Sequence, residues 1–142
     1  MLTSQMTTRL ISGGLAIGLA AVFGLAALLE PSPVGHGTHT QLGLGGCTFL
    51  EITGQPCPMC GATTSWSLLA HFDPIGALIN QPFAVLLFFI AAGTFAVAVA
   101  EVLDPRGRWG EIARWVEPRE GVLAGGFLVL MGLGWAYKMT LM

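Results

Sequence analysis

Three cysteines fall within a short run of the chain: Cys47, then Cys57 and Cys60 in the stretch Gly-Gln-Pro-Cys-Pro-Met-Cys-Gly that ends at Gly61. Cys-Pro-x-Cys-Gly has the shape of a zinc or iron knuckle. A turn that brings two thiolates onto one ion needs backbone amides aimed at the sulfurs and a residue free to take positive φ after the second cysteine, and Pro58 and Gly61 suit both demands. Cys47 would add a third thiolate and His71 or Glu51 a fourth ligand, so the metal set expected from residue types is Cys47, Cys57, Cys60 and His71, holding zinc or iron. A redox role would use the same residues differently. A Cys-x-x-Cys pair at a helix amino terminus has a lowered thiol pKa because the helix dipole favours the thiolate, and a helix is expected over residues 62–72, directly after Cys60. An odd cysteine count leaves one thiol over in any single-disulfide state, which suits exchange chemistry or pairing with another chain. A purely structural role would put one disulfide between Cys47 and Cys57 or Cys60, or pack all three thiols as small apolar groups. The residue after Cys60 is glycine rather than the histidine that c-type haem attachment requires, which argues against such a haem.

The elements that must position these residues are built for lipid. Of 142 residues, 54% are hydrophobic and 10% charged, where soluble domains carry about a quarter charged residues. Three runs are long and apolar enough to cross a bilayer, at residues 10–29, 82–100 and 121–137, the second ended by Glu101 and Asp104 and the third carrying Trp135 and Tyr137. The first run exceeds the apolar core of a signal peptide and is expected to be retained. Arg9 precedes it, Arg106, Arg108, Arg114 and Arg119 lie between the second and third spans, Lys138 follows the third, and residues 30–81 hold neither Lys nor Arg. The positive-inside rule then puts the amino terminus in the cytoplasm and the cysteine segment, residues 47–73, outside. In a bacterium that places the chain in the inner membrane, with its thiols in an oxidising compartment.

The fold class expected is an all-α integral membrane protein. One domain covers residues 1–142, with three transmembrane helices and a short outward interfacial helix and cysteine cap between the first and second. Residues 31–46, rich in Gly, Pro, Ser and Thr and holding His36 and His39, are expected to be a mobile loop. Asp73-Pro74 signals a helix cap followed by a short turn of helix that Asn80 stops. Residues 101–120 predict a cytoplasmic turn at Pro105 and Gly107 and an amphipathic helix with Trp109, Ile112, Ala113 and Val116 near one face. Gly14 and Gly18, Ala92, Ala96 and Ala100, and Gly121 and Gly125 recur at the four-residue spacing that lets membrane helices approach closely.

Cys47, Thr53-Gly54, Cys57-Pro58-x-Cys60-Gly61, Thr63, His71, Asp73, Ala77 and an Asn-x-Pro before a span resemble the bacterial membrane family catalogued as domain of unknown function 2752, over about a third of the chain. Two positions depart from its pattern. Thr64 and Ser65 stand where arginine usually follows the threonine, and Gln81 separates Asn80 from Pro82. The resemblance implies the architecture and a shared cysteine site, without a reaction.

The function expected is that of a non-enzymatic accessory or assembly subunit with a cysteine-organised, metal-binding outward cap. Its partners would be the bilayer and other membrane subunits or further copies of itself, and no basic face offers itself to nucleic acid. The alternatives are a membrane thiol oxidoreductase that uses the Cys57–Cys60 pair and passes electrons between it, Cys47 and a quinone, and metal sensing or delivery.

Overall fold

No proline interrupts the chain before Pro31, and an apolar run in a bilayer must close its own backbone hydrogen bonds because no water is there to satisfy them. In the computed structural model, which describes residues 2–142, this run is helix α1, Leu2–Leu28. Then follow α2 (Thr48–Thr53), α3 (Ala62–Ala70), α4 (Pro74–Asn80), α5 (Pro82–Leu103), α6 (Arg108–Val116) and α7 (Glu120–Leu141), with no strand among the described residues. Three helical stretches are long and apolar enough to span a membrane: Gln5–Leu28, Pro82–Leu103 and Arg108–Leu141. They contain nearly all of the three expected runs and extend beyond them.

α1 and α5 pack against each other along their lengths, and α3 wedges between them near the end where the cysteines lie. Trp66 of α3 makes the wedge: its ring stacks on Phe23 at 5.9 Å and meets the edge of Phe88 at 5.3 Å, while its indole N–H donates to the Ala84 carbonyl at 2.9 Å. An indole buried in apolar surroundings needs such an acceptor. Ser67, one residue on, donates to the Leu29 carbonyl just past the end of α1. The cap at Asp73 forms as its sequence predicts, with the carboxylate accepting the Gly76 N–H at 2.8 Å and Pro74 in the first helical turn.

Two expectations are corrected. Glu101 does not end the second apolar helix: α5 runs on to Leu103 and Glu101 is 0% exposed. Its carboxylate accepts the N–H groups of Gly107 at 3.3 Å and Arg108 at 2.9 Å and pairs with the Arg108 guanidinium at 3.0 Å, so it fastens the turn into α6. The loop over residues 31–46 is tied down rather than mobile. It holds a 3-10 turn, Thr38–Leu42, whose buried Thr38 hydroxyl bonds Thr64 at 2.8 Å and accepts the Ser32 N–H at 3.0 Å. Gln41 exchanges two hydrogen bonds with the Glu30 backbone.

Within one copy of the chain, Gly14, Gly18, Gly121 and Gly125 meet no atom within 4 Å of where a Cβ would stand. The close approach is made instead by Gly134 of α7, where a Cβ would lie 2.7 Å from Cβ of Phe83. That position falls near the cysteine end of α5 because α7 comes back toward it. At the other end of the bundle the amphipathic α6 forms where expected, and its Trp109 donates to Ser12 of α1 at 2.9 Å.

Candidate functional site

The cysteine turn is a backbone object first. The Cys60 N–H closes onto the Cys57 carbonyl at 2.9 Å and the Ala62 N–H onto Met59 at 3.0 Å, after which Gly61, at φ +88°, turns the chain into α3. Cys47 arrives from the other side as the extended residue that opens α2. Cys47 and Cys57 lie near enough for each thiol to act on the other's ionisation. Cys60 lies behind them, 5% exposed. All three are free thiols, and all three line one open cavity of about 770 Å³ whose walls also carry His36, His39 and Glu51.

The thiols are not electrostatically equal. The Leu50 N–H in the first turn of α2 holds the Cys47 thiol below the usual range, against an opposing contribution from burial, with further help from the Cys57 thiol and the Phe49 N–H. Burial pushes Cys57 up, and burial, then the charges of Cys57 and Cys47, push Cys60 up, with Lys138 pulling weakly the other way. Of the three thiols, Cys47 is the one whose ionised form the surroundings favour.

Behind the turn, polar side chains from distant parts of the chain bind its carbonyls. Gln81, 0% exposed between α4 and α5, donates to the Pro58 carbonyl at 3.1 Å, and Trp135 of α7 donates to Pro56 at 2.7 Å. Asn80 donates to the Gly61 carbonyl at 3.0 Å and to the Ser65 hydroxyl at 2.9 Å. Lys138, 2% exposed on α7, donates to Oδ1 of Asn80 at 2.7 Å, to the Gly35 carbonyl at 3.0 Å and to the Asn80 carbonyl at 3.3 Å. No carboxylate is among those partners. Buried polar groups need hydrogen-bond partners, and here carbonyls of the turn serve Gln81, Trp135 and Asn80, while Gly35 and Asn80 serve Lys138. Gln81 Oε1 is the exception, buried with no partner in the structure.

Of the four expected metal ligands, the structure brings Cys47, Cys57 and Cys60 to one cavity and leaves His71 apart. His71 follows the far end of α3, nine residues of helix from Gly61 and so about 13 Å along the axis at 1.5 Å per residue, with Nδ1 on the Ser67 carbonyl at 2.8 Å. In this arrangement the four do not close on one ion, and among the described residues no group of three or more His, Cys, Asp and Glu side chains is spaced to hold a metal. Glu51, the other fourth ligand weighed, does line the thiol cavity. His36 and His39 each spend a ring nitrogen on a backbone carbonyl, of Val34 and Gly45.

Residues 47–95 match the family model described as protein of unknown function (DUF2752). The match starts at Cys47, takes in the cysteine turn, α3 and α4, and ends inside α5. The family resemblance drawn from the cysteine pattern holds, and the matched segment reaches further along α5 than the pattern itself. Nothing matches among curated proteins or among solved structures. Thr64 and Gln81, the positions singled out in the sequence, both have a structural place: Thr64 is sealed against Thr38 by their 2.8 Å bond, and Gln81 grips Pro58. Lys138, Asn80 and Gln81 were the site residues missed from sequence. The available signals were a polar Asn-Gln pair set against the proline that opens a span, and a lysine following an apolar run at Tyr137.

Proposed function

We propose that the protein is a small accessory protein of a bacterial cytoplasmic membrane that works through thiol–disulfide exchange at Cys47 and Cys57, with the cysteine end facing outward. The convergence of Cys47 and Cys57 on one cavity, where each thiol acts on the other's ionisation, supports this reading, because these are the two thiols best placed to close a disulfide. In the exchange the Cys47 thiolate attacks a sulfur of a partner disulfide and expels one partner thiolate. The Cys57 thiolate then attacks the Cys47 sulfur, forming the intrachain disulfide and expelling the second; the two protons lost by the chain go to the partner's thiols. The outward orientation is supported by Arg9 and the four arginines between the second and third spans, with Lys138 enclosed at the opposite end and not counting as a surface charge.

Two measurements test this. Iodoacetamide at neutral pH is expected to label Cys47 before Cys57 and Cys60, because its pKa is the lowered one, and equal labelling would remove it as nucleophile. Incubated with oxidised glutathione and mapped by differential alkylation, the protein is expected to hold a Cys47–Cys57 disulfide that survives Cys60→Ser and is lost in Cys47→Ser and Cys57→Ser. Thiols that stay reduced at every glutathione ratio would sink the proposal. The second reading is a zinc or iron held by the three cysteines, structural or in transit. What supports it is that the three thiols and Glu51 line one cavity, and it requires them to draw together from the spacing described above. About one metal per chain after purification without chelator, with all three thiols masked, would select it.

A further inference from the structure

A second cavity, of about 320 Å³, adjoins the thiol cavity, and the two share walls at His39, Met59, Ala62 and Thr63. Its other walls are apolar: Val22 and Leu25 from α1, Leu87 from α5 and the Trp66 ring. Both α1 and α5 are long and apolar enough to span a membrane, so a groove between their ends is reached from the lipid phase. One shared wall is Met59, the residue just before Cys60 in the Cys-Pro-Met-Cys turn. The volume lies at the lower end of small-ligand sites, room for a substituted ring with the start of a tail.

We propose that this groove binds the ring and proximal tail of a membrane quinone, which reoxidises the Cys47–Cys57 dithiol. The inference rests on the thiol–disulfide reading above. Run in reverse, the exchange above lets a partner dithiol reduce the Cys47–Cys57 disulfide and leave as a disulfide. The dithiol so formed must then release two electrons and two protons, and a groove open to lipid and touching the cysteine turn selects an acceptor that is itself lipid-soluble and takes two of each. In the step the S–H bonds of Cys47 and Cys57 break and one S–S bond forms. The two electrons enter the quinone ring, its two carbonyl oxygens each take a proton, and a quinol leaves. A plain lipid acyl chain would fill the same groove without accepting electrons.

The test uses the full chain, purified in detergent, reduced, and held without oxygen. The probe is a fully substituted benzoquinone bearing a decyl chain, to whose ring no thiol can add. Expected are saturable loss of the quinone absorbance, quinol formed in step with a Cys47–Cys57 disulfide, and an increase of about tenfold in half-saturating quinone for Leu25→Trp, which fills the groove. Oxidation of Leu25→Trp by oxidised glutathione is expected to match wild type, which shows that the variant is folded; Leu87→Phe serves in its place if it is not. Quinone reduction that is absent, or unsaturable and indifferent to the groove variants, while glutathione still forms the disulfide, would overturn the quinone site and leave the exchange proposal standing. Failure of both oxidants to form the disulfide would overturn both.

Discussion

Replacing Gly61 by alanine is expected to destabilise the protein by about 2–5 kcal/mol, a large share of the margin that keeps a typical domain folded. Two effects add. Gly61 sits at φ +88°, a left-handed conformation that costs a residue with a Cβ about 1–2 kcal/mol. A Cβ there would also stand 2.6 Å from the Gly35 carbonyl oxygen and 3.0 Å from both Nδ2 of Asn80 and Nζ of Lys138. The oxygen is backbone and cannot step aside, so overpacking adds about 1–3 kcal/mol. Gly54 supplies the control, because its φ is +69° and nothing lies within 4 Å of its Cβ position. Gly54→Ala is therefore expected to show the conformational cost alone, about 1–2 kcal/mol. Thermal unfolding in detergent with thiol labelling checks this: Gly61→Ala should melt well below Gly54→Ala and expose Cys60 to reagent. Equal losses in the two variants would mean that the crowding around Gly61 is not what fixes the turn.

The contrast between these glycines shows where sequence reasoning reaches. Local signals held, because a cap or an apolar run is decided by residues a few positions apart. Asp73 caps α4 through Gly76, three residues on, α3 starts right after Gly61, and the apolar runs became long helices. The family pattern was legible for the same reason, being contiguous. What could not be read was the wiring between distant segments. Trp135 reaches Pro56 and Lys138 reaches Gly35 across most of the chain, and no spacing rule predicts either. The loop over residues 31–46 looked mobile from its composition, yet one buried hydroxyl pair, Thr38 and Thr64, ties it down. Glycine spacing did not mark the close contact within one copy. Gly14 and Gly18 obey the packing pattern and face no neighbour in this chain, while Gly134 makes the close contact without a motif around it.

Substitution of Lys138 by methionine sets two opposing effects against each other, and the geometry decides between them. Removing a buried ammonium relieves the desolvation of a charge, and replacing buried ionic groups by apolar ones is often neutral or stabilising. Here, however, methionine would strand three acceptors at once: the Gly35 carbonyl, the Asn80 carbonyl and Asn80 Oδ1. Each buried acceptor left without a partner costs about 1–3 kcal/mol, and two of the three are backbone oxygens with no rotamer to turn toward water. The orphaned acceptors win, and Lys138→Met is expected to lower stability by about 2–4 kcal/mol. Because Asn80 also donates to Gly61 and Ser65, the damage should run into the cysteine turn. Asn80→Ala alone should also destabilise, and the double variant should lose much less than the sum, since both changes break one network. Additive losses, or a Lys138→Met protein as stable as wild type, would show that α7 is not fastened to the cysteine turn through this lysine.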